Sequence, residues 1–492
     1  MVISAHQNLT LKEGNRPLLR EHAYIGGRWV QSASGERMAV TNPATGETVG
    51  HVPMLGAAEV DEAITSARRT LPEWSSRLPR ERGDALERWH DLIVENTDPL
   101  ARLMVMEQGK PLADARSEVA YGASFIRWFA EEASRIYGEV IPSHLPDRKM
   151  LVQNEPLGVV ALITPWNFPL AMITRKAAAA LAAGCTSVVA PSMETPLSAL
   201  ALAALAEAAG IPGGVFSVVT GKPETVVGRL CDSPEVRGLS FTGSTEIGRM
   251  LLARCAPTVK RVSLELGGHA PFIVFGDFDV EQAARAAVSA KFQTTGQDCL
   301  AANRIYVHSS VADAFARAFA DNVQNLVTGN GLEPGVDLGP LIHERSLAKT
   351  EDQVADALAK GAKLVIGGKR HALGGTFYEP TLLLGVTPNM AIVREETFGP
   401  VAAIMPFDNE AEVIRAANAT EYGLVAYVYT RDMSRAWRLT DALEYGMVAV
   451  NTVKLTGAPV PFGGIKQSGL GREGSRHGIT EFLNRKYVCL GL

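Results

Sequence analysis

Three residues in this 492-residue chain combine a reactive type with a setting in which it could react. Cys299, in KFQTTGQDCLAANRIYVH, follows a Gly, a Gln and an Asp. Gly296 permits a tight turn, and the polar flanks keep the thiol out of the dry interior where free cysteines usually sit, so Cys299 is a candidate nucleophile. Glu265, in SLELGGHAP, ends an apolar run and precedes a glycine pair. A carboxyl so placed can have its pKa raised toward that of a general base; the alternative is a strand-end carboxylate bonded to backbone. Asn167, in ITPWNFPLAMITRK, stands between Trp166 and Phe168 and is bracketed by two prolines. A rigid amide there is suited to donating to an oxyanion, or it is simply a turn former.

These residues need elements that bring them together. From Val159 to Leu266 short β-rich runs (VVALIT, TSVVA, VFSVVT, GLSFTG, VSLEL) alternate with Ala/Leu-rich helical stretches, the pattern of parallel βαβ units. In TPLSALALAALAEAAGIPGG the spacing predicts a helix with Thr195 as N-cap, Pro196 in the first turn and Gly210 past the end. A second block follows: PFIVF, a helix from Val280, NRIYVH, then a helix from Val311 whose apolar face is Val311, Phe315, Phe319, Val323 and Leu326. Further strands are expected in AKLVIGG, VAAIMPF and MVAVN. Two α/β domains should therefore meet at a cleft, with Cys299 near the junction. SFTGSTEIGR reads as a strand, a turn at Gly243 and a helix start, which can hold a pyrophosphate although it is neither GxGxxG nor a P-loop.

Composition narrows the function classes. The chain is 46% hydrophobic and 21% charged, with a net charge of -5, which singles out neither a nucleic acid nor a membrane as partner. The first 22 residues lack a secretory h-region and no apolar run reaches about 20 residues, so a cytoplasmic protein is expected. The five cysteines form no disulfide framework and no Cys/His zinc spacing, so reduced thiols and no metal are expected.

Taken in order, PWNFP, FTGSTEIG, LELGG, GQDC, EETFGP and PFGGIKQSGLGREG resemble the aldehyde dehydrogenase superfamily over nearly the whole chain, from YIGGRWV to KYVCLGL. EQGKPLADA, WFAEEASRIYGE, AMITRK and GREGSRHGI are most similar to its succinate-semialdehyde dehydrogenase group. The resemblance implies an α/β fold of two doubly wound parallel-sheet domains with a small oligomerisation arm. It places the cofactor-binding domain at 1–138, 158–267 and 452–474, the catalytic domain at 268–451, and the arm at 139–157 and 475–492. It also implies a homodimer or homotetramer acting on a small-molecule aldehyde with NAD or NADP. Cys299 would then attack the aldehyde, Asn167 would stabilise the oxyanion, Glu265 would activate water, and Lys176 and Glu473 would relay protons. The cofactor would meet Trp166, Ala190, Ser192, Met193, Gly221, Gly243, Ser244, Leu266, Glu396 and Phe398. Phe168, Arg175, Gln293, Thr456, Gly457 and Phe462 would line the substrate side.

Several positions depart from the family pattern. Ala190 and Met193 stand where a lysine and a glutamate usually reach the adenosine ribose; the two changes pull oppositely on a 2′-phosphate, and NAD is favoured over NADP. Ala301 stands where many relatives of this group carry a second cysteine, so no redox switch is expected there. Of the two arginines that clamp a far carboxylate, Arg175 is present but the other position is Gln293, with Thr456 or Gly457 in place of a helping serine. Lys454 could restore the charge, or it is a solvated loop lysine. Weak use of succinate semialdehyde is expected, with better use of a longer semialdehyde or an uncharged or aromatic aldehyde. A CoA-acylating relative typically lacks the glutamate present here as Glu265; a non-catalytic protein that keeps the fold is the other alternative.

Overall fold

A computed structural model describes residues 18–492. The stretch before residue 18, where a leader was sought, lies outside the described residues. The first α/β block forms an eight-stranded sheet whose five central strands are parallel. Across the sheet these run Arg261–Glu265, Val236–Thr242, Val159–Thr164, Thr186–Pro191 and Phe216–Val218. In chain order the strands first step outward from Val159–Thr164 in one direction. They then return to its other side, which creates a topological switch point between Val159–Thr164 and Val236–Thr242. Register aligns the carboxyl ends: Ile163 lies opposite Ala190 and Phe241, and Thr242 opposite Glu265. The loops holding Asn167, Gly243 and Glu265 therefore leave one edge of the sheet side by side.

Helix Ala171–Ala183 is buried along its whole length, and its small side chains let it pack between the sheet and helices Pro79–Glu95 and Leu112–Glu132. The predicted helix near Pro196 spans Pro196–Ala208, with Gly210 beyond its end at φ +77. Its cap differs from expectation. The Thr195 side chain accepts no N–H, and the buried carboxylate of Glu107 accepts those of Leu197 at 2.7 Å and Ser198 at 2.9 Å. A longer side chain from another helix has taken over the work of the local hydroxyl.

The second block forms a seven-stranded sheet, parallel except for its edge strand Lys363–Ile366. The predicted segments appear in it as Ala270–Val274, Ala302–His308, Val401–Phe407 and Met447–Val450. Helix Ala312–Gln324 buries Phe315, Phe319 and Val323, while Val311 and Leu326 are half-buried against the same core. Glu139–Ile141, Arg148–Pro156 and Leu483–Gly491 make a separate three-stranded antiparallel sheet. This is the α/β, two-parallel-sheet architecture with a small appended sheet that the sequence predicts. No helix among the described residues is long and apolar enough to cross a membrane.

Candidate active site

Cys299 lies just before strand Ala302–His308 and lines a cleft of about 1320 Å³ that also receives the loops at the switch point of the first sheet. The turn that delivers it is conformationally costly: Thr294, Thr295 and Gly296 all have left-handed backbones, at φ 50, 59 and 72. Two β-branched residues in that region need firm support from their surroundings. Support comes from the Asp114 carboxylate, which accepts the Thr294 N–H at 3.1 Å, and from the Thr295 hydroxyl, which donates to the Gly339 carbonyl at 3.1 Å. The glycine pair after Glu265 also has its reason here. A Cβ on Gly268 would lie 2.2 Å from the Cys299 carbonyl oxygen, so only glycine lets the two loops meet. Gly268→Ala is expected to push the nucleophile turn away and lower turnover by at least about tenfold. Equal kcat and thermal midpoint in the variant would refute this account.

Asn167 is tied into the same turn. Its amide donates to the Gln297 carbonyl at 3.0 Å, while its own carbonyl accepts from Lys110 Nζ at 2.7 Å. Lys110 is in turn paired with Glu118 at 2.6 Å, and both are buried. Glu118 also accepts the N–H groups of Leu170 and Ala171 at the head of helix Ala171–Ala183. Lys110 stands 4.2 Å over the Phe168 ring. The pair thus clamps the PWNFP loop from behind. Sequence reasoning missed both residues as site supports. Lys110 and Glu118 fall in and just beyond the EQGKPLADA stretch used for the resemblance, but nothing local shows that they reach a loop more than fifty residues on.

Glu265 is buried, and neither of its carboxylate oxygens has a hydrogen-bond partner. It is therefore not the backbone-bonded strand-end carboxylate of the alternative reading. Burial, and then the Glu473 charge, raise its pKa well above the usual carboxylate range. Glu473 behaves oppositely. It is buried too, but ion pairs with Arg175 and Lys176 outweigh burial and hold its carboxyl below the ordinary value. Lys176 also donates to the Ser240 hydroxyl at 3.1 Å, and burial lowers its pKa despite Glu473. Two neighbouring carboxyl groups are thus driven apart in proton affinity, so that Glu265 takes up a proton more readily than an ordinary carboxylate and Glu473 less readily.

The thiol of Cys299 is raised well above its ordinary pKa, first by burial and then by the Asp298 and Glu396 charges. Trp166 from the first sheet and Phe398 from the second meet edge to face across the cleft, with ring centroids 5.5 Å apart. Glu396 accepts the Gly268 N–H at 2.8 Å. Leu266, Gly243 and Ser244 line the same cleft. Ser244 caps helix Thr245–Cys255 through the Ile247 N–H, and the Thr245 and Glu246 N–H groups have no acceptor among the described residues. An 11-residue helix opening its N-terminus into a cleft suits a phosphate-bearing cofactor, so these residues fit the nicotinamide nucleotide that the motifs imply.

Phe168, Arg175, Gln293, Thr456 and Phe462 line the cleft as well, whereas Gly457 does not. Ala190, Ser192, Met193 and Gly221 also lie outside it: Ala190 is in strand Thr186–Pro191, Ser192 and Met193 follow that strand, and Gly221 lies beyond Phe216–Val218. Met193 nevertheless reaches Gly221, accepting its N–H on sulfur at 3.2 Å, and Ser192 donates to the Glu194 carboxylate. Glu265, Lys176 and Glu473 sit behind the cleft wall. Arg175 is almost wholly buried, paired with Glu473 and 4.1 Å over the Phe462 ring. Its charge is already engaged within the protein.

Fold and site together define a two-sheet α/β protein with a thiol centre where the sheets meet. The pattern of the aldehyde dehydrogenase family matches residues 29–488. The chain belongs to that family, whose members are aldehyde-oxidising oxidoreductases. It is 56% identical to a glutarate-semialdehyde dehydrogenase of Pseudomonas aeruginosa, over 96% of this chain and 98% of that one. It is 58% identical to a non-phosphorylating aspartate-semialdehyde dehydrogenase of Halomonas elongata, over 96% of each. The crystal structure of a succinate-semialdehyde dehydrogenase from Burkholderia pseudomallei superposes with a TM-score of 0.96 at 52% identity, covering 96% of this chain and 98% of that one.

Proposed function

We propose that the protein is an NAD(P)-dependent, non-acylating dehydrogenase that oxidises a semialdehyde, with an acid group at its far end, to the free acid. The observation that carries this is the unpartnered, buried carboxyl of Glu265 close behind the cleft that holds the Cys299 thiol. In this reading Cys299 gives up its thiol proton to solvent as Sγ bonds to the aldehyde carbon, and the amide of Asn167 and the Cys299 N–H donate to the oxyanion of the thiohemiacetal. Glu396 and Phe398 would hold the nicotinamide end of a nucleotide cofactor, with Trp166 lining the cleft and Ser244 near the pyrophosphate, and that cofactor would accept the hydride that leaves the same carbon. Glu265 then takes a proton from the water that splits the resulting thioester, and Lys176 and Glu473 pass that proton on. Stoichiometric reduction of NAD(P) by an aldehyde, with free acid formed and no CoA required, tests this. A CoA requirement supports the acylating alternative, and no reduction with any aldehyde supports a non-catalytic protein.

Residues 1–138, 158–267 and 452–474 form the cofactor-binding domain in this reading, and 268–451 the catalytic domain. The separate sheet within 139–157 and 475–492 is the oligomerisation arm. Its exposed Val140, Ile141, Tyr487 and Leu490 suit burial against a second copy, in a homodimer or homotetramer of the cytoplasm.

The far acid group needs a cation. With Arg175 engaged by Glu473 and residue 293 neutral, we assign this role to Lys454, exposed on the loop that carries Thr456; Arg345 and Lys349 also line the cleft, on the stretch that begins at His343, whose ring faces Trp166. Among semialdehydes whose only charge is the far carboxylate, a cation near the rim favours one longer than the succinate one. Gln293→Arg is expected to raise kcat/KM for succinate semialdehyde more than for longer or uncharged aldehydes. A tenfold preference of the wild type for succinate semialdehyde, unaltered by Gln293→Arg, would refute this reading of the pocket.

For the cofactor, NAD is favoured. No lysine stands at 190, and the Glu194 carboxylate, held by Ser192, adds negative charge beside Met193. Ala190→Lys is expected to tighten NADP about tenfold relative to NAD, because it supplies a partner for the 2′-phosphate. Cofactor titration by fluorescence checks it; equal effects on both cofactors would show a ribose site built differently.

A further inference from the structure

We propose that Asp298 sets specificity by binding an ammonium group carried within about two carbons of the aldehyde carbon, so that the cleft prefers an α-amino acid semialdehyde to the deaminated compound of the same length. The inference rests on the aldehyde-oxidising reading of the site and deepens it. Asp298 adjoins the nucleophile, lines the same cleft and is only 7% exposed. Its carboxylate accepts the Leu300 N–H at 3.0 Å and a hydrogen bond from the Cys299 thiol. No ion pair among the described residues includes it. A nearby cation, Lys110, is already held by Glu118 and the Asn167 carbonyl. Asp114, which lines the cleft too, adds like charge.

A carboxylate buried without a cation is costly, and burial accordingly raises the Asp298 pKa. A substrate ammonium would supply the missing partner. Charges on the substrate side follow an order that fits such a molecule. Asp298 is beside the reacting carbon, Gln293 is neutral, and Lys454 lies outward to meet a carboxylate. A semialdehyde without the ammonium brings only its anionic end toward Asp298. The Asp298 charge also helps keep the Cys299 thiol protonated, so an ammonium that offsets it eases thiolate formation only when the right molecule is in place.

Aspartate 4-semialdehyde and succinate semialdehyde share chain length and carboxylate and differ only in the amino group. Wild-type kcat/KM is expected to favour the amino compound by at least about tenfold, and Asp298→Asn to reduce that ratio by a similar factor. The amide keeps an acceptor for the Leu300 N–H. Competitive inhibition of the wild type by 2-aminobutyrate against butyrate reads the same preference without a variant, with the amino compound the stronger inhibitor. A wild-type ratio near one, a ratio unchanged in Asp298→Asn, or equal inhibition by the two acids overturns the proposal. If the wild type oxidises butanal while showing no preference within the pair, this proposal alone falls; if it oxidises no aldehyde, the reading of the site beneath it falls as well.

Discussion

Glu265→Gln should release about one equivalent of reduced cofactor per site and then stall, with steady-state turnover lowered by about a hundredfold or more. In the proposed mechanism the step that calls on this carboxylate is hydrolysis of the thioester, which follows loss of the hydride. Hydroxylamine, which attacks a thioester without a base, should restore part of the turnover. Steady turnover at the wild-type rate, indifferent to hydroxylamine, would remove Glu265 from the mechanism. The raised pKa fixes the sign of two pH effects. Only the ionised form accepts a proton, so wild-type kcat should rise with pH through the raised value, and the variant should lack that limb. For stability, a carboxyl whose folded pKa lies above its unfolded value of about 4.3 contributes most below that value and loses the contribution as pH rises. Glu265→Gln should therefore gain stability relative to wild type as pH increases, measured as a denaturation midpoint.

Cys299→Ala should lower turnover by at least about a thousandfold while leaving the thermal midpoint and cofactor binding nearly unchanged. The costly backbone lies at 294–296 and is held by Asp114 and Gly339, so loss of one sulfur does not release it. Residual turnover above a few per cent would end the assignment of the nucleophile. Because burial, Asp298 and Glu396 raise the thiol, alkylation of wild-type Cys299 by iodoacetamide should accelerate as pH increases. The other four cysteines offer a control, three of them buried.

The elements legible in the sequence were those with local periodicity: the alternating strands and helices of both sheets and the amphipathic face of helix Ala312–Gln324. The places of Cys299, Glu265 and Asn167 beside strand ends were also legible, because glycines or prolines flank each of them. What escaped depends on partners far along the chain. Thr195 has every local mark of a cap, yet Glu107 holds that helix end. Arg175 has the residue type of a substrate clamp, yet Glu473 takes its charge. The Lys110 and Glu118 pair and the lack of an ion pair at Asp298 become visible only once the loops are in place. Spacing reports what a segment can do; its neighbours decide which of those things it does.

The ion pair that joins Lys176 to Glu473 spans 297 positions of the chain. A ribosome would have to deliver nearly the whole polypeptide before the carboxylate beside Glu265 could be anchored. Both sheets can form almost complete before that, since the last parallel strand, at the edge of the second sheet, ends at Val450 and only the two-residue antiparallel edge strand Gly469–Leu470 of the first sheet follows. Maturation should thus be ordered in time, with secondary structure and most of the tertiary packing recovered first and competence last. In refolding from denaturant, far-ultraviolet circular dichroism should recover ahead of enzymatic activity. A chain released before residue 473 should be folded in large part yet oxidise little aldehyde.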